Sequence, residues 1–154
     1  MKTYGKKLPG LVVLERKLFK DDRGYFSETY HSNFDEMRGL YRQLNTAKST
    51  KGVLRGLHRQ DQSKLVMPVD GTIFDVAVDV DSGDWFGIIL DESSGLLIPP
   101  QYAHGYLVLS ETSIVQYIVD KPYDKTKEEN FKWNEYGIEW PLNGKLPILS
   151  EKDA

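Results

Sequence analysis

Two of the three histidines in this chain sit beside glycine in apolar, strand-like runs. His58 lies in Lys51-Gly-Val-Leu-Arg-Gly-Leu-His-Arg-Gln60 and His104 in Ile98-Pro-Pro-Gln-Tyr-Ala-His-Gly-Tyr106; the third is His31. An imidazole can gain or lose a proton near neutrality, so this pair is the first candidate for proton chemistry. On an extended strand, residues two apart share a face. That groups His58 with Gly56 and Gln60 and sends Arg55, Leu57 and Arg59 the other way, unless a bulge near Gly56 brings Arg55 round to the histidine. Taken singly, each histidine is better explained as a hydrogen-bonded residue of a half-buried sheet. His31, among polar neighbours, reads as a surface residue.

Other groups could complete a site. Lys64 opens an apolar run after Asp61-Gln-Ser, so its ammonium could reach inward. Asp75 is central in an apolar strand; facing inward, its carboxylate needs a cationic or hydrogen-bonding partner, and Lys64 is a candidate. Asp79, four residues on, is assigned to solvent. Tyr117 lies mid-strand, where a buried tyrosine needs a partner for its hydroxyl and is more often core than catalytic. Gln43 and Asn45 would share a strand face and could read a polar ligand. Asp22-Arg-Gly-Tyr-Phe-Ser-Glu28 reads as a turn followed by a strand.

The elements that must position these groups are mostly strands. Strand signals cover residues 10–19, 25–30, 53–57, 64–69, 72–80, 86–90, 96–98, 106–109 and 113–119, separated by Gly, Asp, Ser and Pro. Many short strands with regular turn residues predict an antiparallel sandwich or barrel. Phe74, Val76 and Val78 alternate with Asp75, Ala77 and Asp79 at a period of two. One helix is expected, capped by Ser32 or Asn33 and carrying Phe34, Met37, Leu40 and Tyr41 at helical spacing. From Lys121 onward the chain is richer in charge and proline and is expected to wrap the sandwich rather than add to it. Its polar ending, residues 149–154, would fray unless tied down.

At 154 residues the chain suits one domain, 1–154, with a substantial core. A net charge of −3 gives no reason to expect nucleic acid or an anionic membrane as partner. Absence of cysteine removes disulfides and thiolate chemistry and suits a reducing cytoplasm. No signal-peptide pattern follows Met1, and no apolar run approaches a membrane span. His58-Arg59-Gln60 stands where a metal-binding jelly roll would carry His-x-His, so no metal is expected. Dinucleotide, phosphate-loop and nucleophile-elbow motifs are also missing.

The pieces, in order, resemble the dTDP-4-dehydrorhamnose 3,5-epimerase family. The resemblance runs nearly end to end: Phe19-x-Asp-x-Arg-Gly-Tyr-Phe-x-Glu28, Gln43-x-Asn45, Gly52-Val-Leu-Arg-Gly-Leu-His58 and Lys64-Leu-Val66. Gly71 follows, then Asp75-Val-Ala-Val-Asp79, Ile98-Pro with Ala103-His-Gly105, Tyr117, Ile138-x-Trp-Pro141 and Leu149-Ser-Glu-Lys-Asp153. It implies an all-β cupin jelly roll (a double-stranded β-helix) with a short helix and a C-terminal extension, working without metal or other cofactor as a homodimer. The implied reaction inverts carbon 3, carbon 5 or both in a nucleotide-linked 4-keto-6-deoxyhexose.

By the same resemblance, His58 is the base, held in its tautomer by Asp153, and Tyr117 delivers a proton to the opposite face. Lys64 stabilises the enolate oxygen, supported by Asp75, while Arg55, Gln60 and His104 line the substrate site. Arg23, Phe26, Glu28, Gln43, Asn45 and Tyr123 match nucleotide-contacting positions, some donated by the neighbouring subunit. The chain departs from the family pattern in three places. The segment between His58 and Lys64 is shorter, Arg59 replaces an aromatic residue, and residues 80–87 differ from the family's Gly-Ser-Pro-Thr-Phe-Gly turn. A non-catalytic sugar-nucleotide-binding cupin and a 3- or 5-only epimerase of another nucleotide sugar are the alternative readings.

Overall fold

The protein's structure, a computed structural model, describes residues 1–31 and 42–154. The helix expected to start at Ser32 or Asn33 lies outside the described residues. Among the described residues the chain is all-β, its one helical element being a 3₁₀ turn at Lys125–Lys127. The strands, in chain order, are β1 Thr3–Gly5, β2 Val12–Glu15, β3 Phe19–Asp21, β4 Gly24–Phe26, β5 Gln43–Thr50, β6 Leu54–Arg59 and β7 Lys64–Asp70. They continue with β8 Ile73–Val78, β9 Trp85–Leu90, β10 Ser94–Ile98, β11 Ala103–Val108, β12 Thr112–Val119 and β13 Glu129–Asn130. A six-stranded sheet (β1-β9-β8-β11-β6-β13) faces a five-stranded sheet (β2-β10-β7-β12-β5), and β3 and β4 form a separate hairpin. All named pairings are antiparallel. This is the expected jelly roll.

Every residue of β8 is buried, so the period of two separates two apolar environments rather than core from solvent. Ile73 and Ala77 join the cluster between the sheets, with Val66, Leu96 and Val115 from the facing sheet. Phe74, Val76 and Val78 point outward and are covered by the C-terminal extension through Trp133, Tyr136, Ile138, Trp140 and Leu149. Trp140 meets Phe74 edge to face at 5.9 Å, and its indole N–H donates to the Trp133 carbonyl at 2.9 Å. The extension therefore wraps the sandwich as expected, but, against expectation, it also adds the two-residue strand β13 to the sheet edge, where β6 offers its free backbone groups.

Strands β5 and β1, like the short β3 and β13, escape a reading based on hydrophobicity. Strand β5, Gln-Leu-Asn-Thr-Ala-Lys-Ser-Thr, is polar because it is an edge strand with alternate residues exposed. β1 is only three residues long.

The bulge anticipated near Gly56 is present. His58 pairs with His104 and Arg55 with Tyr106, so Gly56 and Leu57 on β6 oppose the single residue Gly105 on β11. A Cβ at Gly56 would lie 2.6 Å from both the Gly105 Cα and the His104 carbonyl oxygen, and Gly56 has φ +119°. Leu54 and Leu57, three apart, consequently share the outer cluster, and Arg55 and His58 turn inward together. Gly56→Ala is expected to destabilise the fold by about 2 kcal/mol or more, from backbone strain plus the close contact. A urea midpoint unchanged from the parent protein would contradict this packing.

Candidate active site

One pocket between the sheets gathers most of the polar residues singled out from sequence: Asn45, Arg55, His58, Gln60, Lys64, His104, Tyr117, Tyr123 and Asp153. The strands divide them between two walls. Arg55 and His58 (β6) and His104 (β11) belong to the six-stranded sheet, whereas Asn45 (β5), Lys64 (β7) and Tyr117 (β12) belong to the five-stranded one. Tyr117 lies directly opposite Asn45 in the β12–β5 register.

Each histidine on the first wall has a carboxylate. His58 Nε2 lies 2.5 Å from Asp153 Oδ1, and the same carboxylate accepts from the Gly56 N–H at 3.2 Å. These bonds tie down the polar tail: Asp153 is 7% exposed, although its neighbours Glu151, Lys152 and Ala154 are exposed. With Nε2–H donated to Asp153, a neutral His58 keeps the lone pair on Nδ1 for a proton. Burial lowers the His58 pKa below its usual value and outweighs the upward pull of the Asp153 hydrogen bond and charge. The imidazole is therefore largely neutral at pH 7, the form a base requires.

His104 Nε2 lies 2.6 Å from Asp75 Oδ1, and Asp75 is fully buried. The hydrogen-bonding partner of Asp75 is thus His104 rather than Lys64; Lys64 feels the Asp75 charge without bonding to it. Asp79 lies outside the pocket, its carboxylate accepting the Asp81 and Ser82 amides of a turn.

On the facing wall, the Lys64 ammonium lies 5.9 Å from the Tyr117 ring centroid. Burial brings its pKa down from 10.5 to about 8, against the pull of Asp75 and then Glu128. It is still mostly charged at pH 7 but titrates within reach of ordinary buffers.

Several pocket residues were not singled out: Gln62, Tyr106, Glu128, Ser150 and Lys152. Lys152 stood inside the tail motif beside Asp153, a signal that could have found it. Glu128, in the charged stretch Lys125-Thr-Lys-Glu-Glu-Asn130, had none. Its carboxylate receives the Lys152 ammonium and the Tyr123 hydroxyl, each at 2.5 Å. Gln43 supports the pocket rather than lining it, donating to Asn45 Oδ1 at 2.7 Å and accepting the Tyr123 amide at 2.9 Å.

Arg23, Phe26 and Glu28 do not line this pocket. They are exposed on and after the β3–β4 hairpin, where Arg23 bonds Asp21 and Phe26 is 66% exposed. His31 is half-buried and is also not among the lining residues.

Known proteins resemble this chain over nearly its whole length. The family profile of dTDP-4-dehydrorhamnose 3,5-epimerase matches residues 5–154. The chain belongs to the dTDP-4-dehydrorhamnose 3,5-epimerase family. The epimerase of that name from Salmonella typhimurium is 41% identical over 96% of this chain and 89% of its own length. The one from Shigella flexneri is 39% identical over 99% and 93%. Among solved structures, dTDP-6-deoxy-D-glucose-3,5-epimerase from Legionella pneumophila, in complex with dTDP-4-keto-L-rhamnose, superposes with a TM-score of 0.85 at 34% identity. The match covers 99% of this chain and 90% of that one. The dTDP-4-dehydrorhamnose 3,5-epimerase of Elizabethkingia anophelis gives 0.81 at 38% identity, over 98% of this chain and 93% of that one.

For this epimerase-family pocket, the Asp153 carboxylate is one of the groups holding the His58 pKa up against burial. Asp153→Asn is therefore expected to lower it further. Proton NMR titration of the imidazole Cε1–H, assigned with a His58→Gln control, reads the shift; an upward move would contradict the pairing described.

Proposed function

We propose that this chain, as a single domain over 1–154, epimerises a nucleotide-linked 4-keto-6-deoxyhexose at carbon 3, carbon 5 or both, by proton transfer through an enolate. The substrate is of the dTDP-4-dehydro-6-deoxyglucose type, the product of the dTDP-4-dehydrorhamnose type, and the pathway one of deoxysugar and cell-surface polysaccharide synthesis. The observation that carries this reading is the division of the pocket between two walls. Inverting a stereocentre requires a proton to leave one face of the sugar ring and arrive at the other. A half-buried, largely neutral His58 with its carboxylate stands on one sheet, and Tyr117 stands on the sheet facing it.

The 4-keto group acidifies the hydrogens on carbons 3 and 5, since the carbanion left behind delocalises onto oxygen as an enolate. His58 Nδ1 takes that proton, Asp153 fixing the tautomer and balancing the imidazolium. Tyr117 returns a proton to the opposite face. Lys64, charged at neutral pH, stabilises the enolate oxygen, and the His104–Asp75 pair offers a further oriented group beside it. Arg55, Gln60, Asn45 and Tyr123 hold the rest of the substrate. Positioned proton transfer accounts for roughly a hundred- to ten-thousandfold of rate, and a preorganised cation at the enolate oxygen can add a comparable factor.

The working unit in this reading is a homodimer. Arg23, Phe26 and Glu28 are exposed outside the chain's own pocket, and β5, which carries Asn45, is the edge of its sheet among the described residues. A neighbouring subunit would bring the first three to the nucleotide. Synthesis of such a sugar in the cytoplasm suits a chain without cysteine, and no helix among the described residues is long and apolar enough to cross a membrane.

In heavy water, dTDP-4-keto-6-deoxyglucose is expected to gain deuterium at carbon 3, carbon 5 or both, read by NMR. His58→Ala should cut exchange by about a hundred- to ten-thousandfold, and Tyr117→Phe should impair reprotonation more than deprotonation. No exchange with this substrate would sink the assignment, and an unaffected His58→Ala would remove the named base.

The kcat/KM profile should be bell-shaped. It falls on the acid side as His58 is protonated below its usual pKa, and on the alkaline side as Lys64 loses its charge near pH 8. Lys64→Arg, which stays charged, should move the alkaline limb upward. A profile flat from pH 7 to 10 would exclude Lys64 from the rate.

A further inference from the structure

Arg59 follows the proposed base and points to the other side of β6, away from the pocket. Its guanidinium meets Glu129 through two bonds, Nε to Oε2 at 2.8 Å and Nη2 to Oε1 at 3.1 Å. It also lies 5.3 Å from the Phe131 ring centroid and donates to the Gln101 carbonyl at 3.4 Å. Arg59 and Glu129 are direct register partners, and Asn130 pairs with His58 itself. One residue further on, Phe131 and Leu57 exchange backbone hydrogen bonds of 2.9 and 3.3 Å. A short strap is thus zipped onto the strand that carries His58.

Successive side chains of an extended strap leave on opposite sides. Glu129 goes outward to Arg59, and Glu128 goes into the pocket mouth, its side chain only 8% exposed, to meet Lys152 and Tyr123. Lys152 is the residue before Asp153, which orients His58.

We propose that Arg59 is a positioning residue for the pocket mouth: its two-pronged grip on Glu129 sets the strap that aims Glu128 at Lys152 and Tyr123. An exposed ion pair ordinarily does little, but a bidentate guanidinium stacked on a ring fixes direction as well as charge. A lysine would supply the charge without the fork. The inference rests on the epimerase reading for its kinetic consequence and not for its structural one.

Arg59→Met is therefore compared with the parent protein in two measurements. In steady-state kinetics with dTDP-4-keto-6-deoxyglucose, KM should rise about three- to tenfold, the scale of one good ion pair, with kcat little changed. The second measurement is the titration of the Glu128 carboxyl carbon by NMR, assigned with Glu128→Gln. Burial works to raise this carboxyl's pKa, and the hydrogen bonds from Lys152 and Tyr123 hold it below the ordinary range. In Arg59→Met it should move upward. Arg59→Lys should fail to restore either quantity, and the swap R59E/E129R should restore both. Unchanged Glu128 titration in Arg59→Met overturns the proposal, as does a KM effect that the swap leaves in place. If the parent protein turns over no 4-keto sugar, the epimerase reading falls, and the Glu128 titration still decides the role of Arg59.

Discussion

Strands β6 and β11 approach so closely at Gly56 and Gly105 that neither position has room for a side chain. Most of the pocket's geometry descends from this contact. Two residues of β6 opposing one of β11 shift the register by one, and a one-residue shift reverses which side chains face inward. Arg55 and His58, three apart, come to share the pocket wall, while Leu54 and Leu57 share the apolar layer under the C-terminal extension. The Gly56 N–H, freed from an ordinary ladder position, donates instead to Asp153. The bulge that presents the imidazole therefore also supplies part of the seat for the carboxylate that orients it.

The electrostatics follow from how the two sheets are covered. The extension seals the outer face of the six-stranded sheet with tryptophan and tyrosine, and the facing sheet closes over its inner face, where Asp75 on β8 is fully buried. In such surroundings a charge persists only beside a partner. His104 for Asp75 and His58 for Asp153 meet that condition. Lys64 meets it partially, and its pKa falls accordingly. The mouth is the opposite case: Glu128 is held below its ordinary range because two donors converge on it.

Much of this was legible in the chain, for reasons that differ by element. Strands β7 to β12 announce themselves through apolar runs broken by glycine and aspartate, and the bulge was readable because Arg55-Gly-Leu-His58 puts two functional side chains at an odd separation. β5 was not readable as a strand, because an edge strand needs no apolar face. The meaning of β8 was half legible: the period of two was plain, but which face met the other sheet depended on an extension about 60 residues downstream. The pairing of Asp75 with His104 is a cross-strand fact that no local pattern encodes, and Glu128 gave no signal because its role depends on a strap whose register only the folded chain defines. Arg23, Phe26 and Glu28 were recognisable by motif alone, and the single chain leaves them outside the pocket.

Asp153 is 95 residues from His58 in sequence and belongs to a segment that is otherwise polar and exposed. Segments with few buried apolar contacts open locally at free energies below that of global unfolding. In the proposed mechanism, the orientation of the imidazole would thus depend on the few contacts that seat Asp153 as well as on the stability of the jelly roll.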